Sequence, residues 1–115
     1  METKIIKGYA VTFDKKENIA NKFYEVIDPH AFDNTDLSDV RLEYNLLDIT
    51  RICNLKLNVD DKGVYFKSEV PQFVDKKNIG IEFTVKKEEW SNCSADMPTR
   101  TITEIERLHS ISIKN

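Results

Sequence analysis

Glycine, cysteine and histidine are scarce in this chain of 115 residues, and each scarcity excludes a class of site. Three glycines are too few for a glycine-rich loop of the kind that cradles phosphate. The two cysteines, Cys53 on a predicted strand and Cys93 in a polar loop, do not form a disulfide framework and favour a reducing compartment. The only histidines, His30 and His109, leave little choice for a catalytic base.

Long apolar segments and an excess of basic charge are missing as well. No apolar run approaches the length of a membrane span, and residues 1–4 lack the apolar stretch that a signal peptide needs. We therefore expect a protein of the cell interior that is not secreted through a signal peptide. The formal net charge of -3 gives no electrostatic footprint for binding nucleic acid.

The acidic residues do not predict a metal site either. Asp33, Asp36 and Asp39 recur at intervals of three, but the segment lacks the glycine and the distal glutamate of a calcium loop. We therefore expect neither a metal nor a cofactor. Hydrophobic residues make up 40% of the chain and charged residues 32%, which is typical of one globular domain over residues 1–115 rather than of a disordered segment.

Apolar and polar residues alternate with a period of two, which predicts a mainly β fold. Strands are predicted over residues 4–13, 22–27, 49–59, 64–70, 79–87, 100–106 and 108–113, with another beginning at residue 40. Residues 60–63 are predicted as a hairpin turn, with Gly63 available for a positive φ. One or two short helical turns are expected, at residues 28–32 with Asp28 as the cap and in part of residues 71–78. The arrangement predicts a small antiparallel β-barrel.

The faces of two predicted strands can be assigned from this alternation. On the first strand Ile5, Tyr9, Val11 and Phe13 are predicted to share one face. On the strand over residues 49–59 the shared apolar face is formed by Ile49, Cys53, Leu55, Leu57 and Val59.

Several short motifs, taken in order, add a resemblance to a known family. They are Gly-Tyr-Ala-Val-Thr-Phe at residues 8–13, Tyr-Glu-Val-Ile-Asp-Pro-His-Ala-Phe at 24–32, an acidic turn and hairpin at 60–70, Ile-Gly-Ile-Glu-Phe-Thr-Val at 79–85, and closing strands at 100–105 and 108–113. In this order they resemble the tailed-phage prohead (capsid maturation) proteases over nearly the whole chain. The resemblance implies the β-barrel that these proteins share with herpesvirus capsid proteases.

The departures from this family fall on the positions that would carry its chemistry. By the resemblance, Glu82 occupies the place of the nucleophilic serine, Leu46 that of the histidine base, and Ser110 that of the acidic residue that supports the base. A carboxylate cannot attack as a serine hydroxyl does, and a leucine cannot accept a proton. The family's long helix before the nucleophile strand is reduced to residues 72–78. We therefore expect no catalytic residues.

A relocated nucleophile is the alternative. The candidates are Cys53, Ser68, Thr84, Ser110 and Ser112, each of which is better explained as an ordinary strand residue. The least unfavourable choice is Ser110 with His109, or Ser112. Adjacent residues of a strand point to opposite faces, so His109 and Ser110 are not expected to pair directly. A hydroxyl without a base forgoes an acceleration of roughly 10²–10⁴-fold.

The strand around Glu82 also suggests a binding surface. Ile79, Ile81, Phe83 and Val85 are expected to face the core, while Gly80, Glu82 and Thr84 face outward or into the former cleft. Glu82 is then either simply solvated, or it binds a lysine or arginine of a partner or of this chain. In the second case Glu82 and Thr84 would form part of a docking groove.

Three functions follow from the resemblance. The leading hypothesis is a catalytically inactive prohead-protease-like phage protein that acts in capsid or virion assembly through protein–protein contacts. It would work in the host cytoplasm during assembly or in the virion, with phage structural proteins as partners and without nucleic acid or membrane; self-association is left open. The alternatives are an active, divergent capsid maturation protease with a relocated nucleophile, and a tail or injection-machine structural component built on the same barrel.

Overall fold

The chain folds into two β-sheets, which a computed structural model describes for residues 2–94 and 96–114. The strands are β1 (Thr3–Thr12), β2 (Glu17–Ile19), β3 (Phe23–Ile27), β4 (Arg41–Tyr44), β5 (Leu47–Asp48), β6 (Lys56–Val59), β7 (Gly63–Pro71), β8 (Asn78–Ser91) and β9 (Thr99–Lys114). A 3₁₀ turn spans Thr50–Ile52. Within the described residues, no helix has the length and apolar character needed to cross a membrane.

The larger sheet is built around β9. Along one edge of β9, β8 pairs antiparallel from Asn78 opposite Lys114 to Ser91 opposite Thr99. Along the other edge β3 and β4 follow one another, and both run parallel to β9. The hairpin partners β2 and β5 extend the sheet beyond β3 and β4. The two strands predicted at the end of the chain are therefore one long strand, which holds both halves of the sheet together.

The smaller sheet has the order β1-β7-β6, and all its pairs are antiparallel. The mainly β fold is thus confirmed. The pairings among the described residues leave two separate sheets, so they do not confirm a closed barrel. The larger sheet is also mixed rather than antiparallel, because two of the neighbours of β9 run parallel to it.

The hydrophobic core lies between the two sheets. One cluster joins Phe66 and Val70 of the smaller sheet to Leu42, Ile111 and Ile113 of the larger sheet. A second cluster joins residues of β1 and β7 to β9 and to the turn after β3; it contains Val11, Phe13, Ala31, Phe32, Val64, Ile102, Ile105 and Leu108. Each large side chain buried in this way stabilises the fold by roughly 1.5–3 kcal/mol. Burial of the inner face fixes which side chains of β8 and β9 point outward.

A β-bulge in β1 changes the predicted face of that strand. The register with β7 shifts between Tyr9 and Val11, so one extra residue is inserted there. Val11 is buried as expected, but Ile5 is exposed and Ile6 is buried in its place. The prediction that Ile5 and Tyr9 share one face with Val11 was therefore wrong, because a single inserted residue reverses the alternation.

The strand predicted over residues 49–59 is shorter than its pattern indicates. Only Lys56–Val59 pairs with β7, and the 3₁₀ turn precedes it. Asp48 Oδ1 accepts hydrogen bonds from the Thr50 N–H and hydroxyl at 2.9 and 2.5 Å, and Thr50 Oγ1 accepts one from the Leu42 N–H at 2.8 Å. These side-chain bonds compete with strand pairing. The predicted apolar residues still pack at the core, as Ile49, Cys53, Leu55, Leu57 and Val59 show.

The two predicted helical turns are not helices. In residues 28–32 the Asp28 Oδ1 accepts a hydrogen bond from the His30 N–H at 2.8 Å, so Asp28 caps the segment, which continues as successive turns. Residues 71–78 contain a turn closed by a 3.1 Å hydrogen bond from the Val74 N–H to the Pro71 carbonyl. Neither segment extends far enough to form a repeating helical hydrogen-bond ladder.

Gly63 is needed for space rather than for its conformation. It begins β7 opposite Thr12, and Gly8, not Gly63, is the glycine with a positive φ in the described residues. A Cβ at Gly63 would lie 1.8 Å from the carbonyl oxygen of Val11. The predicted positive φ was therefore wrong. Close approach of the β1 backbone explains the glycine.

We expect Gly63→Ala to lower the free energy of unfolding by roughly 1–3 kcal/mol, because β1 must move away from the new methyl group. Gly80→Ala is the matched control: apart from its chain neighbours, no described residue has an atom within 4 Å of its Cβ position, so it should leave stability unchanged or raise it by up to about 1 kcal/mol. Urea unfolding of both variants measures the difference. Equal stability of the two would contradict this account of Gly63.

Candidate functional site

The candidate site lies on the outer face of the larger sheet, where three strands run side by side. Glu82 on β8 pairs with Ser110 on β9, and Ser110 pairs with Arg41 on β4. Side chains that stand opposite one another in register share a face of the sheet. Leu42, beside Arg41 in the chain, is buried on the other face. Arg41, Ser110 and Glu82 therefore form one row across the outer face.

The predicted alternation on β8 is confirmed. Its core-facing residues pack against the two apolar clusters, and they are Ile79, Ile81, Phe83 and Val85. Between them, Gly80, Glu82 and Thr84 are exposed. Glu82 forms no hydrogen bond or ion pair with any described residue, so its carboxylate is open to solvent or to a partner.

Leu46 lies close to this row. It is the second residue of the two-residue turn between β4 and β5, and both Asn45 and Leu46 have positive φ, at 49° and 72°. Its side chain is 80% exposed and lines a depression of about 300 Å³. Glu82 and Ser112 line the same depression. Leu46 and Glu82, which lie 36 positions apart in the chain, are thus brought to one surface.

Ser110 is next to Glu82 but is not accessible. It is fully buried, and its hydroxyl has no hydrogen-bond partner among the described residues. The residues beside it in the sheet, Arg41 and Glu82, both carry long side chains on the same face. A buried hydroxyl without an acceptor or a base is a poor nucleophile.

Of the other candidate nucleophiles with a hydroxyl or thiol group, Ser68, Ser112 and Cys53 are wholly or partly buried within the fold. Ser68 is buried and its hydroxyl donates to the Glu69 carbonyl at 3.2 Å, while Ser112 is buried beside Ser110 on β9. Burial raises the pKa of the Cys53 thiol, which disfavours the reactive thiolate. His30 lies in the turn after β3, with Nδ1 3.0 Å from Asp33 Oδ2.

A contact that the strand pattern did not predict joins Thr84 to His109. The Thr84 hydroxyl lies 2.6 Å from His109 Nε2, across β8 and β9. The register shifts between Glu82 and Phe83, where Ser110 and then Leu108 are the partners, so His109 is the residue left without one. The bulge allows His109 to meet Thr84. Period-two reasoning alone could not find this pair, because it assumes a continuous register.

His109 also lines a small pocket with charged residues. The pocket measures about 210 Å³ and is lined by Asp39, Arg41, Arg107 and His109. Arg107 Nη2 lies 3.3 Å from Asp39 Oδ2, and Arg107 Nε is covered without a hydrogen-bond partner among the described residues. Sequence reasoning considered Asp39 only as a metal ligand and did not predict this pocket. Thr84 lies outside its lining.

The three evenly spaced aspartates have separate roles. Asp33 contacts His30, Asp36 Oδ1 accepts from the N–H and hydroxyl of Ser38 at 2.9 and 2.5 Å, and Asp39 pairs with Arg107. These Ser38 hydrogen bonds lower the pKa of Asp36. No cluster of three His, Cys, Asp or Glu side chains that could hold a metal occurs in residues 2–94 and 96–114.

The whole chain matches a known protein family. The family model described as caudovirus prohead serine protease matches residues 1–115. The chain belongs to that family. The resemblance seen in the sequence motifs is therefore confirmed over the whole chain. No curated protein and no solved structure matches.

The strained turn of this prohead protease family member gives a direct test of the position of Leu46. A non-glycine residue in the left-handed region costs about 1–2 kcal/mol, and type I′ turns favour Asn-Gly. Since the Leu46 side chain is 80% exposed, little packing is lost on its removal. We expect Leu46→Gly to raise the free energy of unfolding by roughly 0.5–1 kcal/mol, after the flexibility that glycine adds to the unfolded chain.

Leu46→Ala is the matched control, because alanine removes the side chain but keeps the Cβ that causes the strain. It should not gain the stability of the glycine variant. Thermal and urea unfolding of the two variants and the parent measure this. A loss of stability in Leu46→Gly would contradict the described turn.

Proposed function

We propose that this prohead protease family member is catalytically inactive and acts in capsid or virion assembly by binding other phage structural proteins. The observation that carries the proposal is the row of Arg41, Ser110 and Glu82. By the resemblance the nucleophile position on β8 holds the carboxylate of Glu82, and its partner on the neighbouring strand β9 is the buried hydroxyl of Ser110. Glu82 cannot form an acyl-enzyme through a neutral O–H, and the nearby position 46 is a leucine that cannot relay a proton.

The same face supports contact with a partner. Glu82 and Thr84 are exposed beside the depression that Leu46 lines, and the large apolar side chain of Leu46 is itself open. The outer edge of β8 pairs with no strand among the described residues, although its residues 79–81 lie across a depression from β1. Exposed strand edges and mixed polar and apolar depressions are surfaces on which an extended segment of another protein can dock.

We also propose a relation between the two sheets and the closed barrel that the family resemblance implies. A depression of about 250 Å³ is lined by residues 10–12 of β1 and by residues 79–81 of β8, which belong to different sheets. These two strands are the neighbouring edges at which the sheets would have to join. We infer that the two sheets are an opened version of the family's barrel.

A second function is favoured by one specific contact. The 2.6 Å distance between Thr84 Oγ1 and His109 Nε2 is suitable for a base that activates a hydroxyl, so a relocated protease centre would lie here. His109 Nδ1 has no carboxylate partner among the described residues to hold the ring as a base. The pair is also exposed, without the enclosed surroundings that strengthen catalytic electrostatics. We therefore place this function second.

Cleavage of the coat protein separates the two functions. We expect no cleavage by the purified protein, and the same result for Glu82→Ala and His109→Gln. If Thr84 and His109 were catalytic, cleavage would be seen and His109→Gln would reduce it by roughly 10²–10⁴-fold. Labelling with a fluorophosphonate probe and mass spectrometry gives a second readout. Turnover, or a label on Thr84 that is absent in His109→Gln, would overturn the inactive assignment.

Binding is tested by a photo-crosslinking residue at position 82 during co-expression with the major coat and portal proteins. We expect a crosslink to one defined structural protein. The matched control is the same residue at position 61, an exposed acidic position in the turn before β7. Equal crosslinking from both positions, or none from position 82, would contradict docking on this face.

A further inference from the structure

The pocket lined by Asp39, Arg41, Arg107 and His109 has an unusual charge for this chain. The chain has a formal net charge of -3, but this pocket combines two guanidinium groups with a single carboxylate. Arg41 forms no hydrogen bond or ion pair with any described residue. Glu82, the acidic residue in its row, lies two strands away, which corresponds to a separation of roughly 9–10 Å. The Thr50 hydrogen bonds and, to a smaller extent, the charge of Arg41 lower the pKa of Asp48, so Asp48 on β5 is a nearby counter-charge that forms no ion pair with Arg41.

The other arginine forms one ion pair, with Asp39, and it also lies near Asp36, whose pKa is lowered by the Ser38 hydrogen bonds and by the charge of Arg107. Arg107 Nη2 lies 3.3 Å from Asp39 Oδ2, and the Asp39 side chain is 77% exposed. Exposed ion pairs contribute little to stability, so Asp39 can give way to another carboxylate at little cost. Arg107 Nε, the neighbouring donor on the same edge of the guanidinium, has no acceptor among the described residues. A guanidinium binds a carboxylate most strongly through two such donors.

His109 adds a polar group with a fixed orientation. Its Nε2 contacts the Thr84 hydroxyl at 2.6 Å, which holds the ring at the edge of the pocket. Nδ1 has no hydrogen-bond partner among the described residues. Two arginines and one oriented imidazole thus converge on a volume of about 210 Å³, which is sufficient for a carboxylate group but not for a large ligand.

We propose that Arg41, Arg107 and His109 form a binding site for a carboxylate, and that an acidic segment of a protein partner docks there in place of Asp39. The internal contact between Asp39 and Arg107 favours a carboxylate over other anions, because a group of this chemistry already occupies one side of the pocket. The site adjoins Glu82 and Thr84 on the outer face. This inference rests on the proposed function, because it specifies the chemistry of the partner that the proposed function requires.

The test uses a blocked peptide, acetyl-Gly-Glu-Glu-Glu-Glu-Gly-amide, titrated into the ¹⁵N-labelled full chain and followed by NMR. A second peptide with glutamine at the four glutamate positions is the probe control, and inorganic phosphate at matched ionic strength is a third arm. We expect the acidic peptide alone to shift signals of Arg41, Arg107 and His109. Equal shifts from the glutamine peptide, or tighter binding of phosphate at these residues, would overturn the carboxylate assignment.

Matched variants locate the site. Arg41→Gln and Arg107→Gln should each weaken peptide binding at least tenfold, whereas Arg51→Gln, at an exposed arginine in the 3₁₀ turn, should change it less than twofold. Asp39→Asn should strengthen binding severalfold because it removes the competing carboxylate. Asp61→Asn makes the same charge change elsewhere and should not. Thermal unfolding checks that each variant is folded, and Arg41→Lys serves as a milder second variant.

Equal losses in Arg51→Gln and Arg41→Gln would overturn the site, as would equal gains in Asp61→Asn and Asp39→Asn. The experiments distinguish failure of the carboxylate site from failure of the proposed function. A negative titration with the crosslink from position 82 intact removes only the carboxylate site. Cleavage of the coat protein removes the proposed function, whatever the result of the titration.

Discussion

The pairing of β8 with β9 is the interaction on which the remaining structure depends. It extends over thirteen register pairs, from Asn78 opposite Lys114 to Ser91 opposite Thr99. The other edge of β9 holds β3 and β4, so this one strand connects nearly every part of the larger sheet. Its apolar side chains also supply both core clusters. Because those side chains are buried between the sheets, the polar residues of β8 and β9 are fixed on the outer face, where the candidate sites lie.

The bulges in this pairing give the outer face its particular contacts. A regular antiparallel ladder would place His109 and Ser110 on opposite faces and would leave Thr84 opposite a different residue. The shift after Glu82 leaves His109 unpaired in the ladder and brings it to Thr84. The same part of β9 places Arg107 beside Asp39 from the loop before β4. Local irregularity, and not the strand pattern, thus brings the polar groups together.

Family membership alone does not establish the activity of this protein. The chain matches the prohead serine protease family over residues 1–115. Activity depends instead on a few side chains, and a fold can keep its core while those side chains change. On the outer face, exposed Glu82 and Arg41, which forms no ion pair with a described residue, are opposite charges separated by buried Ser110. Such a surface is suited to complementary contacts with a partner, since interfacial charge pairs determine specificity and orientation.

The amino-acid sequence was enough to predict the mainly β fold, the core-facing residues of β8, the hairpin between β6 and β7 and the family. These features depend on alternation and on residues that are close in the chain, so they can be read locally. It did not determine the face of Ile5, the 3₁₀ turn at Thr50 or the unbroken β9, because a bulge, side-chain hydrogen bonds and pairing on both edges overrode the pattern. The folded sheets bring Thr84 to His109, 25 positions away, and Asp39 to Arg107, 68 positions away, and neither contact could be predicted from the pattern. Such contacts depend on the register between strands, and one inserted residue is enough to change which side chains meet.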